Sequence, residues 1–208
     1  MGRVPAVVDG MTGTGKSTIV NFLADKLDLE VMPEEFRDPY DLLSKYADDT
    51  KWCYPMQLNF LMTRFIQYRV ASESTGYILD RSIYSDPVYA DLYYEMNHLS
   101  QKEYENYNIF YERLMETVQE PMCMVILTCS FEEVMNRIEE RGREDELKLG
   151  ESYWWSLYQA YTQHIDKIRK NKDSINSEII EIDTESLDLE NMDEELDEVV
   201  KKLKDIIK

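Results

Sequence analysis

The residues most capable of chemistry lie near the start of the sequence. Gly10-Met11-Thr12-Gly13-Thr14-Gly15-Lys16-Ser17 follows the spacing G-x-x-x-x-G-K-[ST], and Thr18 carries it into an apolar-periodic stretch. Glycines at these places let backbone N–H groups turn inward around a phosphate, and a helix starting here adds a favourable dipole. Lys16 supplies a cation for the phosphates and Ser17 a hydroxyl for a hard metal ion. A dinucleotide-binding turn built on Gly13-Thr14-Gly15 would need Gly or Ala at position 18, where this chain has Thr18. The loop therefore implies binding of a nucleoside triphosphate.

Such a loop works only between a strand and a helix. Residues 4–9 form a short run rich in β-branched types, and residues 17–27 show helical spacing. Strand signals recur at 29–32, 77–79, 122–128 and 178–182. Helical stretches are expected over 55–72, 87–118, 131–141 and 153–169, with a closing helix within 189–208. Strands alternating with helices predict an α/β fold, a parallel sheet covered on both faces. Residues 72–76 and 170–177 read as polar loops. With 208 residues, no internal repeat and no low-complexity linker, one domain over 1–208 is expected.

Composition narrows the function. The formal net charge of −19 disfavours a nucleic-acid partner, because it repels a phosphate backbone except at local basic spots. No segment approaches the ~20 apolar residues of a membrane span, and the N-terminus has no signal-peptide pattern, so a cytoplasmic location is expected. The three cysteines, Cys53, Cys123 and Cys129, form no closely spaced pair and read as buried free thiols. His98 and His164 lack metal-ligand spacing and are expected to pack outside the site. Tyrosines and methionines at helical spacing over 84–115 point to core and subunit interface.

Further segments resemble the deoxynucleoside kinase family, in its deoxyadenosine, deoxyguanosine and deoxycytidine kinase branch, over about residues 10–187. They are Pro33-Glu34-Glu35 after the second strand, Asp80-Arg81-Ser82 after the third, and Arg137-Ile138-Glu139-Glu140-Arg141-Gly142-Arg143-Glu144-Asp145-Glu146. The resemblance implies a P-loop kinase fold, a five-stranded parallel sheet with an arginine-rich lid at about 137–150. It also implies ATP and Mg2+, with Glu34 as general base, Glu35 as the adjacent alternative, and Arg81 and Lys16 assisting. Asp80 and Ser17 would hold magnesium, and Arg137, Arg141 and Arg143 would close over the phosphates. A plainer reading of the lid is a solvated helix end whose arginines pair with neighbouring glutamates.

Tyr46, Trp52, Gln57 and Arg64 match the family's substrate-pocket intervals. Carried over, Tyr46 and Glu146 hold the sugar 3′-hydroxyl, and Gln57, Arg64 and Asp86 read the base. Gln57 and Arg64 are two helical turns apart and so share a face. A charged Arg64–Asp86 pair suits an amino-substituted base, hence a purine deoxynucleoside or deoxycytidine; the same two residues could also form a purely structural ion pair. Two positions depart from the family: Ala90 stands where many relatives place a phenylalanine against the base, and Pro39 where some have a tryptophan. Tyr89, Phe36 and Met56 are the candidates to fill that space. Asp183 and Leu187 are the candidates to hold the adenine of ATP. The resemblance further implies a homodimer, or a heterodimer with a paralogue. The alternatives are a monophosphate kinase of the thymidylate kinase type, which has no need of a base at Glu34, and a non-catalytic P-loop subunit.

Overall fold

The computed structural model describes residues 2–34, 37–74, 76–188 and 191–207. Glu35 and Phe36 lie outside the described residues. In chain order the elements are β1 (Ala6–Asp9), α1 (Lys16–Leu27), β2 (Glu30–Met32), α2 (Leu42–Asp48), α3 (Cys53–Glu73), β3 (Tyr77–Asp80), α4 (Asp86–Glu95), α5 (Gln101–Met115), β4 (Cys123–Thr128), α6 (Phe131–Arg141), α7 (Glu144–Leu147), α8 (Gly150–Lys170), β5 (Glu178–Asp183), α9 (Met192–Glu195) and α10 (Asp197–Ile207). Among the described residues the strands form one five-stranded sheet in the order β2-β3-β1-β4-β5, every pairing parallel.

Alternation along the strands divides the core in two. Ala6, Val8, Ile78, Val125 and Ile180 pack with Ile19, Val20 and Leu23 of α1 and with Val200 and Leu203 of α10. Val7, Leu79, Met124, Ile126 and Ile179 face the other way, toward Leu61 and Tyr68 of α3, Tyr107 of α5 and Ile165 of α8. Burying each large aliphatic side chain contributes about 1.5–3 kcal/mol. The fully buried Ile19, Val20 and Leu23 thus pin α1, and with it the loop of residues 10–15, against the sheet.

The register brings the site to one edge. Val8 lies opposite both Asp80 and Val125, so β1 and β3 end level with each other. Their C-terminal ends deliver the phosphate loop and the Asp80-Arg81-Ser82 segment side by side, the usual ligand edge of an open parallel sheet.

The helix expected over 87–118 is two helices. Asn97, in the left-handed region (φ 58°), ends α4. Ser100 then starts α5 with a capping box in which its side chain and that of Glu103 satisfy each other's backbone N–H groups. The tail also divides, into α9 and α10; α2 adds a short helix for which no element was expected, and α7 one within the expected lid. Among the described residues no helix is long and apolar enough to cross a membrane.

Candidate active site

β1 ends at Asp9, whose carboxylate accepts the Gly10 N–H (2.9 Å) and the Ser82 hydroxyl (3.2 Å), tying the loop to the exit of β3. Two loop glycines are required by geometry. A Cβ on Gly10 (φ 155°) would lie 2.8 Å from the Leu127 carbonyl, and one on Gly13 (φ 89°) would lie 3.0 Å from the Val134 carbonyl. The Met11 carbonyl gathers the loop inward, accepting the Thr14 hydroxyl (2.7 Å) and the Lys16 ammonium (2.9 Å). Gly15 and Lys16 lead into α1, where the Thr18 N–H donates to the Gly15 carbonyl (3.1 Å). Thr12 sits half-buried in the turn, and Ser17 and Thr18 are exposed at the helix start.

Lys16 is buried, and burial together with the nearby Arg81 lowers its pKa to about 7, against the opposing pull of Glu34, Asp80 and Asp9. The Ser17 hydroxyl donates to Asp80 Oδ2 (2.9 Å), while Asp80 Oδ1 is buried without a hydrogen-bond partner. Burial raises the Asp80 pKa. A hydroxyl and a carboxylate with an unsatisfied oxygen form a hard donor pair that fits Mg2+, an ion that fills its remaining positions with water and phosphate oxygens.

Glu34 follows β2 and reaches across to β3. Its Oε1 lies 2.7 Å from Arg81 Nε and 3.0 Å from Arg64 Nη2. Burial pushes its pKa up, but Arg81, Arg64 and Lys16 outweigh that and hold the carboxyl at about 2. The side chain keeps 35% of its surface exposed, so an ionised carboxylate faces the cleft. Arg81 has φ 67°, a left-handed conformation costing a non-glycine residue roughly 1–2 kcal/mol. Its N–H donates to the Val8 carbonyl (2.9 Å), and its guanidinium donates to the Tyr161 hydroxyl and lies 5.4 Å from the Tyr89 ring centroid.

Gln57 and Arg64 are both buried on one face of α3, as their spacing predicts. Arg64 pairs with Asp86, the first residue of α4, and the Tyr107 hydroxyl donates to the other Asp86 oxygen (2.7 Å). Arg64 Nε is buried without a partner, and among the described residues the amide of Gln57 makes no hydrogen bond. Ala90 is fully buried in the core with Leu61, Tyr68 and Tyr107. Tyr89, one position earlier, places its ring over both Arg64 (5.9 Å) and Arg81 (5.4 Å). Met56 is buried and packs with Tyr46 and Trp52, and Pro39 lies exposed in a turn.

The lid segment divides. Arg137 lies against the phosphate loop: its Nη1 donates to the Gly13 carbonyl (3.4 Å) and the Thr184 hydroxyl (3.0 Å), and its Nη2 to the Thr184 carbonyl (2.8 Å). Arg141 and Arg143 instead hold Glu146, at 2.6 Å and 3.3 Å. Among the described residues the Glu146 carboxylate bonds to these two arginines and not to Tyr46. The pairing expected of a plain helix end is therefore present here.

A family profile described as deoxynucleoside kinase matches residues 6–208. The chain belongs to the deoxynucleoside kinase family. Kinases of this family use ATP to phosphorylate deoxynucleosides, whereas the thymidylate kinase type acts on a monophosphate, and the match to the former sets that alternative aside. Among its relatives, a deoxyadenosine/deoxycytidine kinase of Bacillus subtilis (strain 168) is 30% identical, the match covering 96% of this chain and 91% of that protein. A deoxyguanosine kinase of the same organism is 25% identical over 96% of each chain. The fold agrees with a solved deoxyadenosine kinase from M. mycoides carrying the products dCMP and a flexible dCDP, at a TM-score of 0.79 and 27% identity over 95% of this chain and 98% of that one.

Sequence reasoning missed two residues at this site, Thr184 and His98. Thr184, buried just past β5, joins Arg137 to the phosphate loop, its hydroxyl lying 3.0 Å from the Thr14 carbonyl and 3.2 Å from the Thr128 carbonyl. Its only sequence signal is a small polar residue at a strand exit. Asp183 and Leu187 do less: the Asp183 carboxylate accepts the Glu185 N–H, and Leu187 packs against the α1–α10 core. His98, expected outside the site, touches Tyr46 directly, with 2.8 Å between Nδ1 and Oη. Tyr89 was one of three candidates, and only the helical phase of α4 places it on the cleft side with Ala90 behind it. His164 lines a cavity of about 20 Å³ behind the loop, with Asp9 and Ser82.

Proposed function

We propose that the protein transfers the γ-phosphoryl group of ATP to the 5′-hydroxyl of a purine deoxynucleoside or deoxycytidine. The observation that carries this reading is the ionised Glu34, fixed by Arg81 and Arg64 beside the phosphate loop and Lys16. Backbone N–H groups of residues 10–18 and the Lys16 ammonium hold the triphosphate, and Arg141 and Arg143 close on it once released from Glu146. Ser17 and Asp80 hold Mg2+, which when bound neutralises charge on the phosphate oxygens. Glu34 orients the 5′-hydroxyl and accepts its proton as the new O–P bond forms and the bond to the β-phosphate oxygen breaks, releasing ADP. Arg81 keeps Glu34 in place and remains cationic near the transferred group.

On the acceptor side, Gln57 and the free Nε of Arg64 offer unsatisfied polar groups that an amino-substituted base can complete, with the Asp86 carboxylate as acceptor. Tyr89 takes the place of the aromatic wall. Tyr46 contacts the sugar. We further propose a cytoplasmic homodimer. Buried free Cys53, Cys123 and Cys129 suit a reducing compartment, and the packed pair α3 and α5 leaves Ile66, Val70, Ile109 and Phe110 exposed.

The test is a radiolabelled phosphate-transfer screen comparing deoxyadenosine, deoxyguanosine, deoxycytidine, thymidine and their monophosphates. Transfer to the first three nucleosides is expected, and a monophosphate as best acceptor would overturn the proposal. Glu34→Gln should lower kcat by about 10²–10⁴-fold while ATP binding stays within a few-fold. Near-normal turnover in that variant would remove Glu34 from its role.

A further inference from the structure

The Tyr46 hydroxyl meets His98, with 2.8 Å between Oη and Nδ1, and also has the Tyr93 hydroxyl beside it. The histidine is held on three sides. Its backbone N–H donates to the Tyr93 carbonyl (2.8 Å), its ring stacks on Tyr93 (6.1 Å, 18° between planes), and the Ser100 capping box fixes the following turn. Tyr93 in turn meets Tyr46 edge-on at 5.4 Å, and its hydroxyl lies 3.5 Å from that of Tyr153. Tyr46 and Tyr93 share one cluster with Tyr89, whose ring also covers the Arg81 guanidinium that holds Glu34. The ring and hydroxyl of Tyr46 are therefore set relative to the reacting carboxylate through a continuous aromatic wall.

The polarity of the contact follows from chemistry. Burial lowers the His98 pKa and raises that of Tyr46, so near neutral pH the imidazole is uncharged and the phenol protonated. A neutral imidazole with its proton on Nε2 has a lone pair on Nδ1, which can accept from the phenol. The Tyr46 oxygen then has only lone pairs left to offer.

We propose that His98 is a positioning residue for the acceptor: by accepting the Tyr46 hydroxyl hydrogen it leaves the phenol oxygen as a dedicated acceptor for a sugar hydroxyl. This rests on the reading of Tyr46 as a sugar contact and adds a determinant of which sugars are used. A sugar lacking that hydroxyl leaves a fixed acceptor unpaired, whereas a freely rotating phenol would adapt and discriminate less.

The test compares kcat/KM for a 2′-deoxynucleoside and its 2′,3′-dideoxy counterpart in the same enzyme preparation, so that any loss of folded protein cancels in the ratio. Tyr46→Phe should lower the wild-type preference for the 3′-hydroxyl about tenfold, the worth of one hydrogen bond. His98→Phe, which retains a ring to stack on Tyr93, and His98→Leu should lower it equally. His98→Asn, whose Oδ1 can accept in place of Nδ1, should retain it. Loss in Tyr46→Phe with full retention in both His98→Phe and His98→Leu would refute the role of His98 alone. Retention in Tyr46→Phe would refute the sugar contact and the proposal with it.

Discussion

Lys16, as the proposed phosphate cation, should make triphosphate binding a proton-uptake reaction. In the free protein burial and Arg81 bring its pKa to about 7, so it is roughly half neutral at pH 7. A triphosphate brings negative charge to the ammonium and returns its pKa toward the ordinary ~10.4. Between these values the complex binds more protons than the free protein, so affinity falls as pH rises. Proton uptake on binding should be about 0.5 at pH 7 and about 0.9 at pH 8, and the dissociation constant should weaken by about 50-fold between pH 7 and pH 9. Over the same window the unfolded chain binds the extra proton instead, so Lys16 makes the free protein more stable as pH rises, opposite in sign to the effect on affinity. Calorimetry in buffers of differing ionisation enthalpy counts the protons directly, and working above pH 7.5 keeps the terminal phosphate, with a pKa of about 6, fully ionised. Lys16→Arg, which does not titrate, should bind with little proton uptake. Zero uptake by the natural protein at pH 8, or equal uptake in Lys16→Arg, would refute the reasoning.

Thr184→Val removes the hydroxyl that bridges Arg137 and the Thr14 carbonyl of the phosphate loop; a loss of about 1–2 kcal/mol corresponds to a 5–30-fold higher KM for ATP. The nucleoside KM should hold and Thr184→Ser should restore ATP binding, so equal changes in both KM values would count against this role. Glu146→Gln frees Arg141 and Arg143, whose pairing is partly exposed and worth about 0.2–1 kcal/mol. ATP binding measured without nucleoside should tighten by up to about fivefold, and weaker binding would show that Glu146 supports the lid rather than restraining it.

Legibility in the sequence followed the range of the physics involved. The phosphate loop could be read because its requirements are local: positive φ at Gly13, no room for a side chain at Gly10, and a helix that starts at Lys16. The strands likewise could be read, since short apolar runs rich in β-branched residues, alternating with helical stretches, are local signals of a buried parallel sheet. The helix break at 96–100 carried a signal, Ser100 followed by Glu103, but the apolar and aromatic periodicity on either side obscured it. That turn also delivers His98 to Tyr46 across 52 residues of chain, a contact that no spacing rule encodes. Thr184 reaches the Thr14 carbonyl across 170 residues. Tyr89 and Ala90 exchange roles through a single 100° step around α4, which depends on how that helix is rotated against the sheet.

The site also resolves how a chain with a net charge of −19 can hold a polyanion. Each cation there already has a protein partner: Lys16 the Met11 carbonyl, Arg64 Asp86 and Glu34, Arg81 Glu34, Arg137 Glu133 and Thr184, and Arg141 and Arg143 Glu146. Acids placed beside these basic groups keep the buried guanidinium groups from standing uncompensated in the free protein. Binding is then an exchange of partners, and the groups divide by what they can release. Arg64 and Arg81 are deeply buried and tied to Glu34, so on the proposed mechanism they stay as the scaffold of the base. Lys16 gives up only a carbonyl, and Arg141 and Arg143 give up only one partly exposed carboxylate, so on the same proposal those three are the cations that move onto the phosphates.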